Sequence, residues 1–225
     1  MSLWVDKHRP KALADLDYGK DQAAQLAELA KAGELPHMIF YGPSGAGKKT
    51  RVMALLRDIF GAGVERVKLD HRPFKAPSGR SVELTTVSSA YHIEINPGDA
   101  GQYDRYVVQE LIKEMAQYNP VGADAARPWK VLLLSEVDRL TKEAQAALRR
   151  TMEKYTATCR LVLVATSLSK VIEPVRSRCL GVRVPAPSQP EIMAVLAGVA
   201  RKEGFALPVP VAAKIAAQSG RNLRR

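Results

Sequence analysis

The chain has 225 residues, and its 46% hydrophobic content is enough to bury a full core, which excludes a disordered protein. The net charge of +11, from 34 Lys and Arg against 23 Asp and Glu, favours a polyanionic partner such as nucleic acid, with a generic basic protein as the alternative. Two cysteines without metal-ligand spacing, no apolar leader and no apolar run of membrane-spanning length predict a soluble protein of a reducing intracellular compartment.

The first half of the chain alternates helical and strand-like segments. Apolar spacing predicts helices over residues 19–32, 47–60 and 103–118. Short apolar runs predict strands over 37–42 and 91–95. Between them, two strand-like runs around "APSG" predict an inserted β-hairpin within residues 64–90.

The second half continues the alternation and then changes character. Strands are predicted over 130–135, 160–166 and 179–184, with a helix over 141–155. Strands alternating with helices predict an α/β fold with a mostly parallel sheet. After the proline-rich "VPAPSQP" the chain turns helical, so we place a domain boundary near residue 187, between an α/β domain (1–187) and a small helical domain (188–225).

The sequence "GPSGAGKKT" (42–50) is close to the phosphate-binding pattern G-x-x-x-x-G-K-[ST]. Gly42, Gly47 and Lys48 obey the pattern, but Lys49 replaces the metal-binding hydroxyl, and Thr50 comes one place late. A predicted strand before the loop and a helix after it favour a phosphate site over a simple turn with a surface lysine. The backbone of the remaining loop residues would complete the cradle: Pro43, Ser44, Gly45 and Ala46.

A second candidate site follows the apolar strand in "LLLSEVD" (132–138). A magnesium-dependent nucleotide hydrolase usually has an aspartate here to hold the metal, and then a glutamate to orient the attacking water. This chain has Ser135 in the first position and Glu136 in the second. Serine lacks the negative charge that a hard cation prefers, so the sequence predicts no metal site here.

Four segments together resemble one family: "LWVDKHRP", "LPHMIFYGPSGAGKKT", "LTKEAQAALRRTMEKY" and "IEPVRSRCLGVRVPAPS". They are similar to the small subunits of replication factor C, the eukaryotic sliding-clamp loader. The resemblance implies a P-loop AAA+ domain with a mostly parallel sheet, a small helical lid, and a nuclear hetero-pentamer that loads the clamp PCNA onto primer–template DNA. Family members continue into a helical collar, which we expect this chain to lack because it ends inside the lid's last helix.

The resemblance also implies nucleotide contacts outside the loop. Val5 and Arg9 would lie near the adenine of ATP or ADP, with an arm packed on the core as the alternative. Arg224 takes the place of the family's sensor-2 arginine, although a solvated surface charge is the alternative. Thr166 occupies the sensor-1 position, where asparagine is usual.

Three positions that assist magnesium-dependent hydrolysis are therefore changed: Lys49, Ser135 and Thr166. Glu136 remains as the catalytic candidate. These changes argue against a firmly held Mg²⁺, whereas the backbone cradle and Lys48 persist. We expect tight binding of ATP or ADP with weak or absent hydrolysis. The alternatives are a self-sufficient P-loop ATPase and an architectural subunit without nucleotide.

The resemblance assigns the remaining candidates to partners. Arg178 in "SRC" matches the arginine finger that completes a neighbouring subunit's site in trans; a salt-bridged surface group is the alternative. Arg105 and, less strongly, Lys142 match helix starts that face the DNA backbone; for each, an ordinary solvated surface charge is the alternative. Leu111, Met115 and Tyr118 are candidates for clamp contact, with a core position favoured by their helical spacing.

Overall fold

The computed structural model describes residues 3–75, 81–116 and 129–224. The chain groups into two compact units, the first of Met1–Glu34, Gly42–Ile59 and Val184–Arg225, the second of Leu35–Tyr41 and Phe60–Arg183. The domain boundary near residue 187 stays a prediction. Within the described part of the chain, no helix has the length and apolar character needed to cross a bilayer.

The second unit is built on one seven-stranded sheet, in the order β2-β3-β4-β5-β6-β1-β7. The strands are β1 (Met38–Tyr41), β2 (Lys68–Lys75), β3 (Ser81–Ser88), β4 (His92–Ile95), β5 (Lys130–Leu134), β6 (Cys159–Ala165) and β7 (Leu180–Arg183). The five strands predicted outside the hairpin are present within a residue or two at their ends, whereas the first hairpin strand, β2, begins and ends four to five residues later than the run at residues 64–70 indicated.

Five neighbouring strands of this sheet run parallel, as the alternation of strands and helices predicted. β1 lies between β6 and β7, and β5 lies between β4 and β6, all in parallel register. The predicted hairpin is β2 and β3, which pair antiparallel; β3 then pairs antiparallel with β4 and extends the sheet. The sheet is therefore mixed, with its antiparallel part confined to one edge.

The core of the second unit follows from the apolar runs. All five residues of β5 are buried, as a central parallel strand requires. Helices α4 (Asp104–Ala116) and α5 (Lys142–Lys154) contribute Val108, Leu111 and Leu148 to the hydrophobic core that also contains apolar residues of β5. Leu111 is 0% exposed, so it is a core residue. The side chain of Met115, and all of Tyr118, lie outside the described residues.

The other helices are α1 (Trp4–Lys7), α2 (Lys20–Ala32), α3 (Lys48–Phe60), α6 (Glu173–Arg176), α7 (Gln189–Lys202) and α8 (Val209–Gln218). The predicted helical segment after residue 187 corresponds to α7 and α8. Ser188 caps the start of α7: its hydroxyl accepts from the Glu191 N–H while the Glu191 carboxylate accepts from the Ser188 N–H, a capping box. The short helix α1 is absent from the sequence-based prediction.

Candidate functional site

The glycines of the phosphate loop, Gly42–Thr50, adopt conformations that other residues rarely do. Gly42, Gly45 and Gly47 have φ values of 149°, 75° and 73°. A Cβ on Gly42 would lie 1.9 Å from the carbonyl oxygen of Val184. Residues other than glycine rarely adopt these backbone conformations, and the glycines add no side chain of their own over the loop's peptide groups. The loop therefore has the backbone that a phosphate cradle needs.

Helix α3 begins at the loop, as predicted, with Lys48, Lys49 and Thr50 in its first turn. The ammonium of Lys48 donates to the carbonyl oxygens of Gly42 at 2.6 Å and Pro43 at 2.8 Å. All three side chains are half-buried. Lys48 therefore lies folded across the mouth of the loop, where the N-terminus of the helix also favours an anion.

Two residues that the sequence analysis missed support the loop. Arg51 is 0% exposed, and its guanidinium carbon lies 4.3 Å from the centre of the Tyr18 ring. Arg51 donates to the Ala46 carbonyl at 3.3 Å, and the Tyr18 hydroxyl donates to the same oxygen. The sequence did contain one signal for the burial of Arg51: it lies four residues before Leu55, on the apolar stripe of α3.

The end of the described chain also touches the loop. The Leu223 N–H donates to the Gly45 carbonyl at 3.1 Å. A Cβ on Gly45 would lie 1.8 Å from Oδ1 of Asn222, so the loop and this segment fit together only with glycine at this position. Arg224, the sensor-2 candidate, is exposed, and its backbone N–H donates to Oδ1 of Asn222. It belongs to the same compact unit as the loop.

The two adenine candidates lie on or just after α1. Val5 is exposed on this helix, and Arg9 donates to the Asp6 carboxylate at 2.6 Å. Both belong to the compact unit that contains the phosphate loop. Their role in nucleotide binding stays a prediction.

In the second unit, the polar residues at the strand ends bond to one another. Glu136, directly after Ser135, has φ 54° and ψ 42°, a left-handed conformation that costs a non-glycine residue about 1–3 kcal/mol. Its carboxylate accepts from Arg139 at 2.8 Å. Thr166 follows β6, as predicted, and its N–H donates to the Asp138 carboxylate at 3.1 Å.

At two positions of the sequence, the residue type does not suit a magnesium ion. Lys49 offers an ammonium, which repels a cation, and Ser135 offers a neutral hydroxyl. Within residues 3–75, 81–116 and 129–224, no group of three or more His, Cys, Asp or Glu side chains is placed to hold a metal. The residue types of the loop suit the phosphates of a nucleotide, because its glycines have the positive φ values of a phosphate cradle and lysines begin the following helix.

Arg178, the arginine-finger candidate, follows α6 and is bound within its own chain. Its Nε donates to the Glu153 carboxylate at 2.8 Å, and its Nη1 donates to the Pro174 carbonyl at 2.8 Å. About a third of the side chain is exposed, 32%. The guanidinium is therefore held in one orientation while part of it still faces solvent.

The two DNA candidates lie at helix starts that share one buried carboxylate. Asp104 is 2% exposed and accepts from the Arg105 N–H at 2.6 Å. It also accepts from the N–H of Thr141 at 2.7 Å and from its hydroxyl at 3.0 Å. Thr141 caps α5, whose first residue, Lys142, is exposed, as is Arg105. Asp104 was not among the sequence-based candidates.

Comparisons with known proteins agree with this architecture. The family model described as "DNA polymerase III, delta subunit" matches residues 19–188. The chain is 56% identical to replication factor C subunit 3 of Mus musculus over 225 residues, which is 100% of this chain and 63% of that protein. Replication factor C subunit 5 of Oryza sativa subsp. japonica is 54% identical over 226 residues, 99% of this chain and 64% of that protein. The chain thus spans under two thirds of these relatives' length.

Solved structures support the fold alone. One point mutant of RuvB from Thermotoga maritima superposes with a TM-score of 0.68 at 16% identity, covering 97% of this chain and 62% of that chain. A second point mutant of the same protein gives a TM-score of 0.67 at 17% identity, covering 96% of this chain and 61% of that chain. The predicted P-loop AAA+ α/β fold is therefore confirmed.

Proposed function

Because the chain belongs to the DNA polymerase III delta-subunit family of clamp loaders, we propose that it is a small subunit of a replication factor C-type loader. It assembles with other replication factor C subunits into a nuclear hetero-pentamer that places PCNA on primer–template DNA during replication and repair. Residues 1–187 form its AAA+ domain and residues 188–225 belong to its helical lid.

In this role the subunit binds ATP or ADP and hydrolyses it weakly or not at all. The observation that carries the proposal is the contrast between the positive-φ glycine loop with Lys48 and the changed positions Lys49, Ser135 and Thr166. Affinity in such loops comes from backbone N–H groups and lysine, whereas hydrolysis depends on side chains that position the metal and the water. The chain keeps the first set and lacks most of the second.

Native mass spectrometry of gently purified protein, followed by a turnover assay, tests this proposal. We expect ADP or ATP to copurify and turnover to stay at background. Turnover that falls when Glu136→Gln is introduced would instead identify a self-sufficient ATPase. Protein that neither carries nor binds nucleotide would identify an architectural subunit.

Arg178 is the residue through which this chain contributes to a neighbour's site. Its ion pair with Glu153 supports the proposal because a pre-oriented guanidinium loses less side-chain entropy when it meets a phosphate. Arg178→Ala should slow ATP turnover by the assembled complex and leave nucleotide affinity of this chain unchanged. Arg176→Ala, a neighbouring arginine, is the matched control; equal effects of both changes would remove the finger role.

Arg105 and Lys142 are the proposed phosphate-backbone contacts of DNA. Support comes from their exposure at the starts of α4 and α5, where backbone N–H groups also favour an anion. Binding of primer–template DNA by the complex should weaken as salt rises, and Arg105→Ala should make that dependence less steep. A DNA affinity that does not change with salt would contradict the proposal.

A further inference from the structure

Arg51 is a buried cation that the proposed function does not use. It is 0% exposed and donates to three oxygens: the Tyr18 carbonyl at 3.0 Å, the Tyr18 hydroxyl at 3.1 Å and the Ala46 carbonyl at 3.3 Å. None of these acceptors is a carboxylate. A buried charge without a counter-ion is costly, so this position needs a reason beyond packing.

Space for the guanidinium is kept by two glycines. A Cβ on Gly19 would lie 2.8 Å from Nη2 of Arg51, and one on Gly47 would lie 3.2 Å from Nη1. The guanidinium therefore lies directly against the backbone of the phosphate loop. Its Nε is buried and has no hydrogen-bond partner in the described part of the chain.

The charge of Arg51 remains largely uncompensated. No ion pair links it to a carboxylate among the described residues. Hydrogen bonds from the backbone and hydroxyl of Ser188 lower the pKa of Glu191, with smaller contributions from the charges of Arg221 and Arg51. The hydrogen bonds of the Glu191 carboxylate therefore go to Ser188 at the start of α7 and not to Arg51.

The direction of the Ala46 carbonyl determines that of the next N–H. Peptide bonds in the described chain are trans, and a planar trans peptide directs its C=O and N–H to opposite sides. Arg51 and the Tyr18 hydroxyl hold the Ala46 carbonyl from one side. The Gly47 N–H consequently points to the other side, away from the guanidinium.

We infer that Arg51 is a positioning residue of the phosphate loop, which orients the Ala46–Gly47 peptide toward the nucleotide phosphates and supplies positive charge behind them. This inference rests on the proposed nucleotide binding at Gly42–Thr50. Because the site lacks the usual metal ligands, a fixed internal cation offsets part of the phosphate charge. The class of ligand is a nucleoside di- or triphosphate.

Calorimetric titration of ADP into the full chain, with EDTA present, tests the inference. Arg51→Met, which removes charge and donors at similar volume, should weaken ADP binding by about 30-fold. Arg51→Lys, which keeps the charge, should restore affinity to within about fivefold of the parent. Tyr18→Phe, which removes one donor to Ala46, should cost about threefold. Arg57→Met, on the same helix, is the matched control and should leave affinity unchanged.

Thermal unfolding without nucleotide separates positioning from folding. If Arg51→Lys and Arg51→Met lose affinity equally, in parallel with their unfolding temperatures, the role is structural and the inference is overturned. It is also overturned if both variants bind ADP like the parent. A parent chain that binds no ADP would overturn the proposed function as well, an outcome distinct from the other two.

Discussion

The phosphate loop and the strand ends of the second unit use polar groups in opposite ways. In the loop, Gly42–Thr50, glycines at φ values of 149°, 75° and 73° leave backbone groups uncovered, and the supporting side chains bind the loop's carbonyls. At the strand ends, Glu136 bonds to Arg139, and Asp138 bonds to Thr166. In the loop, side chains bond to backbone carbonyls and leave no carboxylate engaged; at the strand ends, two carboxylates are engaged by a guanidinium and a backbone N–H.

This difference shows how binding and hydrolysis can separate within one fold. A cradle of backbone N–H groups is independent of most side chains, so it survives substitution as long as the glycines remain. Hydrolysis depends on particular carboxylates and hydroxyls at strand ends, where single changes such as Ser135 remove a ligand. A subunit can therefore lose the reaction and keep the nucleotide.

Removal of the loop lysine should have the largest effect. Lys48→Ala removes the cation that lies across the loop, and we expect the affinity for ADP to fall by about 100-fold. The measurement is a calorimetric titration. Lys20→Ala, an exposed lysine at the start of α2, should stay within about twofold. An unchanged affinity for ADP in Lys48→Ala would contradict the proposal that the loop binds the nucleotide through Lys48.

Introducing the usual residues at Lys49 and at the two strand-end positions should increase ATP hydrolysis. The combined variant Lys49→Thr, Ser135→Asp and Thr166→Asn regains the usual metal and water-positioning groups. We expect its magnesium-dependent ATP turnover to exceed the parent's by at least about tenfold, with affinity little changed. The same variant with Glu136→Gln should return to background. Fast, magnesium-dependent ATP turnover by the parent chain would contradict the proposal that this chain binds nucleotide without hydrolysing it.

The side-chain bonding of the second unit can be tested at Asp104. Asp104→Asn places an amide among three donors, which should lower the free energy of unfolding by about 2 kcal/mol and weaken DNA binding by the complex. Urea unfolding measures the first effect. Asp99→Asn, at an exposed carboxylate, should change stability by less than about 0.5 kcal/mol. An equal decrease in the free energy of unfolding in both variants would show that the buried hydrogen bonds of Asp104 do not contribute more to stability than an exposed carboxylate does.

The smallest effect concerns pH. Burial lowers the pKa of His37, with a hydrogen bond to the Met152 carbonyl raising it and the charge of Arg160 lowering it further. Below about pH 6.5 the unfolded histidine binds a proton that the folded one does not, so stability falls as pH decreases. The slope is at most about 1.4 kcal/mol per pH unit for one proton.

Urea unfolding between about pH 5 and 7 checks this dependence. His37→Gln cannot bind the proton, so its stability should depend less steeply on pH than the parent's. His71→Gln, at an exposed position of β2, should keep the parent's slope. An unchanged slope in His37→Gln would assign the acid sensitivity to other groups.

Sequence patterns predicted the regular elements because their signals are local. The stripe of α3 has the period that a helix buries on one face, and the short, uninterrupted apolar run of β5 is typical of a buried parallel strand. The phosphate loop is also local, since its glycines and lysine are consecutive. For the same reason Ser135 and Thr166 were located at strand ends before the structure was known.

The supporting contacts were not predictable because they join distant residues. Tyr18 and Arg51 are 33 positions apart, and Asp104 and Thr141 are 37 apart. The charge of Arg51 favours a solvent-facing position, although its spacing places it on the apolar stripe of α3 and it is fully buried. Only the fold shows which oxygen each donor meets.

The position of β1 between β6 and β7 has a consequence for synthesis. Both of its neighbours come late in the chain: Met38 pairs with Val162 of β6 and with Leu180 of β7. A ribosome adding roughly 5–20 residues per second needs on the order of ten seconds to supply the second partner. Throughout that interval the two hydrogen-bonding edges of an apolar strand stay unpaired, so the nascent chain is a natural client for a chaperone.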